Sequence, residues 1–181
     1  LDKKIAFVYI NCEIVDTDYG IIYQIGNNVI NGWQERVPFT GWPAEKVYHE
    51  LIAEIDNQSL VAVIVLDEID KLIAKSDKVL YWLSRMNGDM RKGKASIIGI
   101  TNDLKITEFL DPRVKSSLGE EELIFPPYNA AQLQDILKER SSIAFNAGIL
   151  ADGVIPLCAA LAAQEHGDAR RALDLLRVAG E

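Results

Sequence analysis

Val61-Ala62-Val63-Ile64-Val65-Leu66-Asp67-Glu68 is the stretch that decides the fold. Its six apolar residues, mostly β-branched, predict a parallel strand buried on both faces. Two carboxylates follow at the end where open α/β sheets take their ligands, in the crevice outside the strands' carboxyl ends. One acid at that place can hold a magnesium ion, directly or through water. The other can orient and activate a water molecule. That is the layout of the acid-tipped strand in a nucleotide triphosphatase.

Working outward, Ile5-Ala6-Phe7-Val8-Tyr9-Ile10 is a second strand-like run, ending at Asn11-Cys12. Ala95-Ser96-Ile97-Ile98-Gly99-Ile100-Thr101 is a third, tipped by Asn102. Leu123-Ile124-Phe125 reads as a short fourth, stopped by Pro126-Pro127. Between the first two runs, Asp16 to Trp42 reads as helix and then loop, with turn signals at Asn27-Asn28, Asn31-Gly32 and Gly41-Trp42-Pro43. Pro43 to Asp56 has helical spacing, with Val47, Leu51, Ile52 and Ile55 on one face. Asp70 to Met90 carries another helix-like stripe, through Leu72, Ile73, Leu80, Leu83 and Met86. After Asn129 only helices are predicted, over 130–147, 153–165 and 168–178. The chain is therefore expected to form an α/β domain over 1–127 and a small helical domain over 128–181, with the break at Pro126-Pro127-Tyr128. No internal repeat or low-complexity tract interrupts this order.

With 181 residues, 49% apolar and 25% charged, the composition is that of a globular protein. No apolar run approaches the roughly 20 residues needed to span a bilayer. Leu1-Asp2-Lys3-Lys4 leads straight into a strand, unlike a secretory leader, so a cytoplasmic protein with no membrane partner is expected. Cys12 and Cys158 match no metal-ligand spacing and read as small buried hydrophobes; His49 and His166 are isolated too. A net charge of −8 argues against strong nucleic-acid binding by this stretch alone. A local basic cluster remains at Arg85, Arg91, Lys92 and Lys94, either a solvated helix end or a contact for DNA or a partner.

Four features in order sharpen the reading. They are Val65-Leu66-Asp67-Glu68-Ile69-Asp70, then Ile100-Thr101-Asn102-Asp103, then Asp111-Pro112-Arg113-Val114-Lys115-Ser116-Ser117, and finally His166-Gly167-Asp168-Ala169-Arg170-Arg171-Ala172-Leu173-Asp174-Leu175-Leu176-Arg177. Together they resemble the AAA+ ATPases, and more narrowly the archaeal replication initiators. These are origin-recognition proteins related to the eukaryotic origin recognition complex and to its helicase-loading partner. The resemblance runs through most of the chain from about Lys4 onward.

It implies an AAA+ P-loop-type parallel sheet followed by a small α-helical lid. It also implies ATP or ADP with Mg2+ as ligands, in a protein that binds double-stranded origin DNA, other initiator subunits and the replicative helicase near the nucleoid. Residue by residue, Asp67 is the metal-side carboxylate and Glu68 the base that polarises the attacking water. Asn102 resembles the sensor 1 amide. Arg170 resembles the sensor 2 arginine of the lid, with Arg171 as competitor. Arg113 resembles an arginine finger acting on a neighbour's ATP; the slot four residues later, where many AAA+ proteins carry it, is Ser117 here. The segment before Pro43, with Trp33, Arg36 and Trp42, corresponds to the insertion through which initiators touch DNA.

The chain holds no Gly-x-x-x-x-Gly-Lys-Ser/Thr phosphate loop, because neither Gly26 nor Gly32 is followed by Lys-Ser or Lys-Thr. By resemblance that element, the Walker A strand and its helix precede Ile5, and a winged-helix domain follows the lid. The polypeptide then reads as the middle of a longer initiator. Its sheet would be incomplete, with an empty slot between the Asn102 strand and the run near Leu123; the full-length protein is expected to hydrolyse ATP, and this stretch alone, without the phosphate loop, to be inactive. A clamp-loader-like AAA+ ATPase and a non-catalytic AAA+-derived interaction module are the rival readings.

Overall fold

Each apolar run before residue 101 becomes a strand: β1 Ile5–Asn11, β2 Val61–Asp67 and β3 Lys94–Ile100. All pair parallel, in the order β1-β2-β3, in the computed structural model, which describes residues 4–76, 78–118, 121–146 and 148–180. Register is continuous across the sheet, from Ile5, Val61 and Lys94 at one end to Asn11, Asp67 and Ile100 at the other. Parallel neighbours need a crossover, and helices supply it. α1 (Asp18–Val29), α2 (Trp33–Arg36) and α3 (Ala44–Asn57) return β1 to β2, and α4 (Ile69–Ile73) and α5 (Lys78–Asp89) return β2 to β3. α6 (Ile106–Phe109) and α7 (Pro112–Leu118) complete the unit Leu1–Glu121.

One face of the sheet is buried. Strand alternation points Val8, Ile10, Ala62, Ile64, Leu66 and Ala95 toward Ile21, Ile22 and Ile25 of α1, Val47, Leu51 and Ile55 of α3, and Leu80 and Leu83 of α5. On the other face Phe7 is 64% exposed, Tyr9 53% and Ile98 48%, and only the central Val65 is buried. The expectation of burial on both faces is thus corrected: among the described residues all the long crossover helices cover the same side.

Two further expectations change. Leu123-Ile124-Phe125 forms no strand and stays exposed, because a strand needs a hydrogen-bonded neighbour and among the described residues β3 pairs only with β2. The stripe from Asp70 to Met90 is two helices instead of one. α4 closes where the Lys75 and Ser76 N–H groups turn back to the Leu72 carbonyl, and the chain restarts with the Ser76 hydroxyl accepting from the Lys78 N–H. Asp56, at the end of α3, accepts the N–H groups of Arg91, Lys92 and Gly93, which fixes the loop that leads into β3.

The unit Glu122–Glu181 contains α8 (Ala130–Ala144), α9 (Val154–Glu165) and α10 (Ala169–Gly180). Ala147, the expected end of the first of these, lies outside the described residues. Asn129 starts α8 with a reciprocal capping box to Gln132. Leu133, Leu137, Cys158, Ala159, Ala162, Ala172 and Leu176 form its core. Small residues on α9 let the three helices approach closely. Gly167 has φ +65°, and a Cβ there would sit 2.6 Å from the Tyr128 carbonyl oxygen, so only glycine suits the turn before α10. No helix among the described residues is long and apolar enough to cross a membrane.

Trp33 of α2 is 1% exposed, with its indole laid against Gly26 of α1. A Cβ on Gly26 would fall inside the van der Waals surface of that ring. Alanine gains roughly 1 kcal/mol of helix propensity, but overpacking costs about 1–3 kcal/mol. Gly26→Ala is therefore expected to lower the urea midpoint with an unchanged slope, and a raised midpoint would show that the indole yields freely.

Candidate functional site

The common register brings three strand ends to one rim. Asn11, Asp67 and Ile100 lie level there, and Asn102 leaves the same rim two residues past Ile100. The ladder continues one step further, as the Cys12 N–H donates to the Asp67 carbonyl at 2.8 Å. The sequence-expected Asp67, Glu68 and Asn102 are thus neighbours at the carboxyl ends of parallel strands, where helix-dense α/β folds take ligands.

Asp67 is held through both carboxylate oxygens. Oδ1 accepts the Glu68 N–H at 3.0 Å, and Oδ2 accepts the Tyr9 hydroxyl. Glu68 itself is in the left-handed region, φ 52° and ψ 46°. That conformation costs a non-glycine residue roughly 1–2 kcal/mol, and such residues gather at functional sites. It turns the chain off the strand into α4, so consecutive acids leave the rim in different directions.

Electrostatics at the rim act on Glu68. The Glu68 carboxyl is raised above the ordinary glutamate value, first by the charge of Glu13, then by partial loss of hydration, with Lys71 opposing. Glu13 is brought there by an Asx turn at the exit of β1, in which the Asn11 side chain accepts the Glu13 N–H at 2.8 Å. Cys12, fully buried below the rim, has its thiol pushed up to about 11 by burial and then by the charges of Asp67 and Asp70. It is a packed hydrophobe with no reactive thiolate at neutral pH.

The exit of β3 is braced from α4. Asp70 Oδ1 accepts the Thr101 hydroxyl at 3.1 Å, and Thr101 Oγ1 accepts the Asp103 N–H at 3.0 Å. Asp103 in turn accepts the Lys105 N–H. Asn102 sits inside this chain of bonds, exposed, so its amide is presented from a fixed turn. Sequence reasoning missed both Tyr9 and the Asp70–Thr101 brace; the threonine before Asn102 and the second acid after β2 were the available signals.

Arg113 stands at the start of α7. Asp111 caps that helix: Pro112 occupies the first helical position and the Asp111 carboxylate accepts the Arg113 N–H at 2.8 Å. The same carboxylate clamps the guanidinium, taking Nε at 3.0 Å and Nη2 at 2.9 Å, and is lowered to about 2 by this pairing. The guanidinium also lies 5.5 Å from the Tyr81 ring of α5, whose hydroxyl accepts from Arg85.

In the helical unit, Asp168 caps α10 by accepting the Arg170 N–H at 2.8 Å. Arg171 is ion-paired to Glu165 at 3.1 Å, whereas the Arg170 guanidinium meets no partner among the described residues. Of these two arginines, Arg171 is engaged with Glu165 of its own unit.

Trp33, Arg36 and Trp42 do not form one exposed contact surface. Trp33 is a core anchor, Arg36 pairs with Glu54, and Trp42 is half-buried with the Lys46 ammonium 3.5 Å over its ring. The basic cluster is divided as well. Arg91, Lys92 and Lys94 lie at the amino-terminal end of β3, the far end from Asp67, and Arg85 is on α5.

Among the described residues no group of three or more His, Cys, Asp or Glu side chains is placed to hold a metal ion. A cation at Asp67 would need most of its ligands from phosphate and water. Magnesium behaves this way, taking one or two carboxylates and keeping the rest of its octahedron for substrate oxygens and water.

Residues 134–181 match the family model for the Cdc6 AAA+ ATPase-type lid domain. Over 182 aligned residues, 99% of this chain, it is 62% identical to ORC1-type DNA replication protein 1 of Methanosarcina mazei. With the ORC1-type DNA replication protein of Thermococcus onnurineus it shares 60% over 175 residues, 96% of the chain. The solved Aeropyrum pernix Orc1 protein in complex with DNA superposes over 98% of this chain and 45% of that one, with a TM-score of 0.82 and 48% identity. The chain belongs to the ORC1/Cdc6 family of AAA+ proteins.

It spans 43% and 42% of those two curated relatives, less than half their length. The likeness to the Aeropyrum pernix Orc1 structure extends over 98% of this chain, and so takes in the α/β class as well as the lid-type helices.

The rim's electrostatics are open to a direct check. Glu13→Gln removes the largest influence that raises Glu68, so the Glu68 carboxyl should titrate at lower pH, read by carboxyl-carbon NMR. An unmoved Glu68 titration would mean that Glu13 is too well solvated to matter.

Proposed function

We propose that this chain is the centre of an ATP-dependent replication initiator that binds origin DNA, with nucleotide state acting as a conformational switch. In this reading residues 1–127 form the base and 128–181 the lid. The observation that supports it most is the single rim, where register alone gathers a doubly held aspartate, a strained glutamate and an amide on a braced turn. Family membership adds that the relatives are named as DNA replication proteins, and that one was solved on DNA.

Each rim residue then has a physical task. Asp67 would hold the magnesium side of a bound triphosphate, and magnesium would supply charge neutralisation on the phosphoryl oxygens. Glu68, with its carboxyl raised above the ordinary glutamate value first by the charge of Glu13, would accept the proton of an attacking water. The Asn102 amide would orient that water or a γ-phosphate oxygen. Arg113, pre-shaped by Asp111, would offset charge on a neighbouring subunit's phosphoryl group. Arg170 would carry the nucleotide's state into the lid. Other initiator subunits and a replicative helicase are the further partners proposed, in the cytoplasm at the nucleoid.

Two experiments test this. Without a Gly-rich loop and its lysine, the stretch lacks the backbone N–H cradle that holds phosphates. Calorimetric titration of this polypeptide with Mg2+–ATP should therefore show no micromolar binding; a micromolar affinity would contradict the proposed division of labour. In the full-length initiator, Glu68→Gln should keep ATP binding and lower hydrolysis by about 10²-fold or more, the usual contribution of a positioned base. Hydrolysis at the native rate would remove Glu68 from the mechanism.

A further inference from the structure

On the open face of the sheet, Tyr9 and Asp67 are joined through their polar ends. Strand alternation puts Ile5, Phe7 and Tyr9 of β1 on that face, together with Val63, Val65 and Asp67 of β2. Tyr9 lies opposite Val65 in register, one pair-step below the rim, and its hydroxyl reaches diagonally across to Asp67 Oδ2. Phe7, one step lower again, offers a ring and no hydroxyl. An aromatic residue would satisfy the apolar face without the phenol oxygen, and the phenol oxygen is what touches the carboxylate.

We propose that Tyr9 is a positioning residue for the metal-side carboxylate, fixing Asp67 in the orientation in which it meets a nucleotide-bound divalent cation. This rests on the reading of the rim as an ATP site. A carboxylate oxygen has two lone-pair directions. The Glu68 N–H takes one on Oδ1 and the Tyr9 hydroxyl takes one on Oδ2, which stops rotation of the group and leaves one direction on each oxygen open. Among the described residues no group of three or more His, Cys, Asp or Glu side chains is placed to hold a metal ion, so the orientation of this carboxylate bears directly on how the cation is held. Partners of this kind set the affinity of a metal ligand without touching the metal.

The test uses the full-length initiator, a fluorescent non-hydrolysable ATP analogue, and magnesium titrated at fixed nucleotide. Tyr9→Phe keeps the ring and deletes the hydroxyl, and thermal unfolding verifies that the fold is retained. The magnesium midpoint should rise by about tenfold, the lower end for loss of an outer-shell partner, while analogue affinity in EDTA stays at the native value. Asp67→Ala runs alongside and should raise the midpoint at least as far. A native midpoint in Tyr9→Phe with a shifted one in Asp67→Ala would overturn the role of Tyr9 and leave the ATP reading standing. Native midpoints in both would overturn the ATP reading itself.

Discussion

Everything at the rim depends on β2 being hydrogen-bonded on both edges, in parallel and in step. A slip of one residue on either side would carry Asp67 to the opposite face and separate it from Tyr9 and from the exit of β3. What prevents the slip is burial of a single face. Ala62, Ile64 and Leu66 must point at α1, α3 and α5, which leaves Val63, Val65 and Asp67 on the other side. The hydrophobic effect thus aims a carboxylate it never touches. Crossover helices confined to one side of the sheet make that aim unambiguous.

On this scaffold the chemistry is built from small local devices. A left-handed Glu68 turns the chain sharply at the end of β2, between two adjacent acids. Asp70 and Thr101 tie the turn after β2 to the turn after β3, so a hydrogen bond links the segment carrying the acids to the turn carrying Asn102. Asp111 both starts α7 and shapes the arginine that begins it. Each device sits immediately after a strand or at a helix start, where backbone N–H groups are otherwise unsatisfied. Capping and site construction use the same carboxylates.

The strands and the rim were legible because β-branched runs ending in acids or an amide have few other uses. Family likeness then supplied roles for Asp67, Glu68, Asn102, Arg113 and Arg170 that spacing alone does not carry. What stayed hidden needed pairing information. Alternation shows that Tyr9 faces the side of Phe7, but only the register with β2 shows that its hydroxyl ends at Asp67. Leu123-Ile124-Phe125 has strand composition and no neighbour to pair with, and composition cannot report a neighbour. Trp33 was ambiguous between contact and core, and its fit against Gly26, a helical glycine seven residues earlier, resolves it. The break between α4 and α5 shows at Ser76, whose hydroxyl accepts the Lys78 N–H, yet the apolar stripe ran across it.

Paramagnetic broadening by Mn2+–ATP in the full-length initiator tests the central claim most directly, because it reports distance from the bound cation. Backbone amide signals of Asp67, Glu68 and Asn102 should vanish together, while those of Val61 and Lys94, at the other end of the same strands, stay sharp. Broadening at Val61 and Lys94, or an unaffected Asn102 beside a broadened Asp67, would contradict a nucleotide site at this rim.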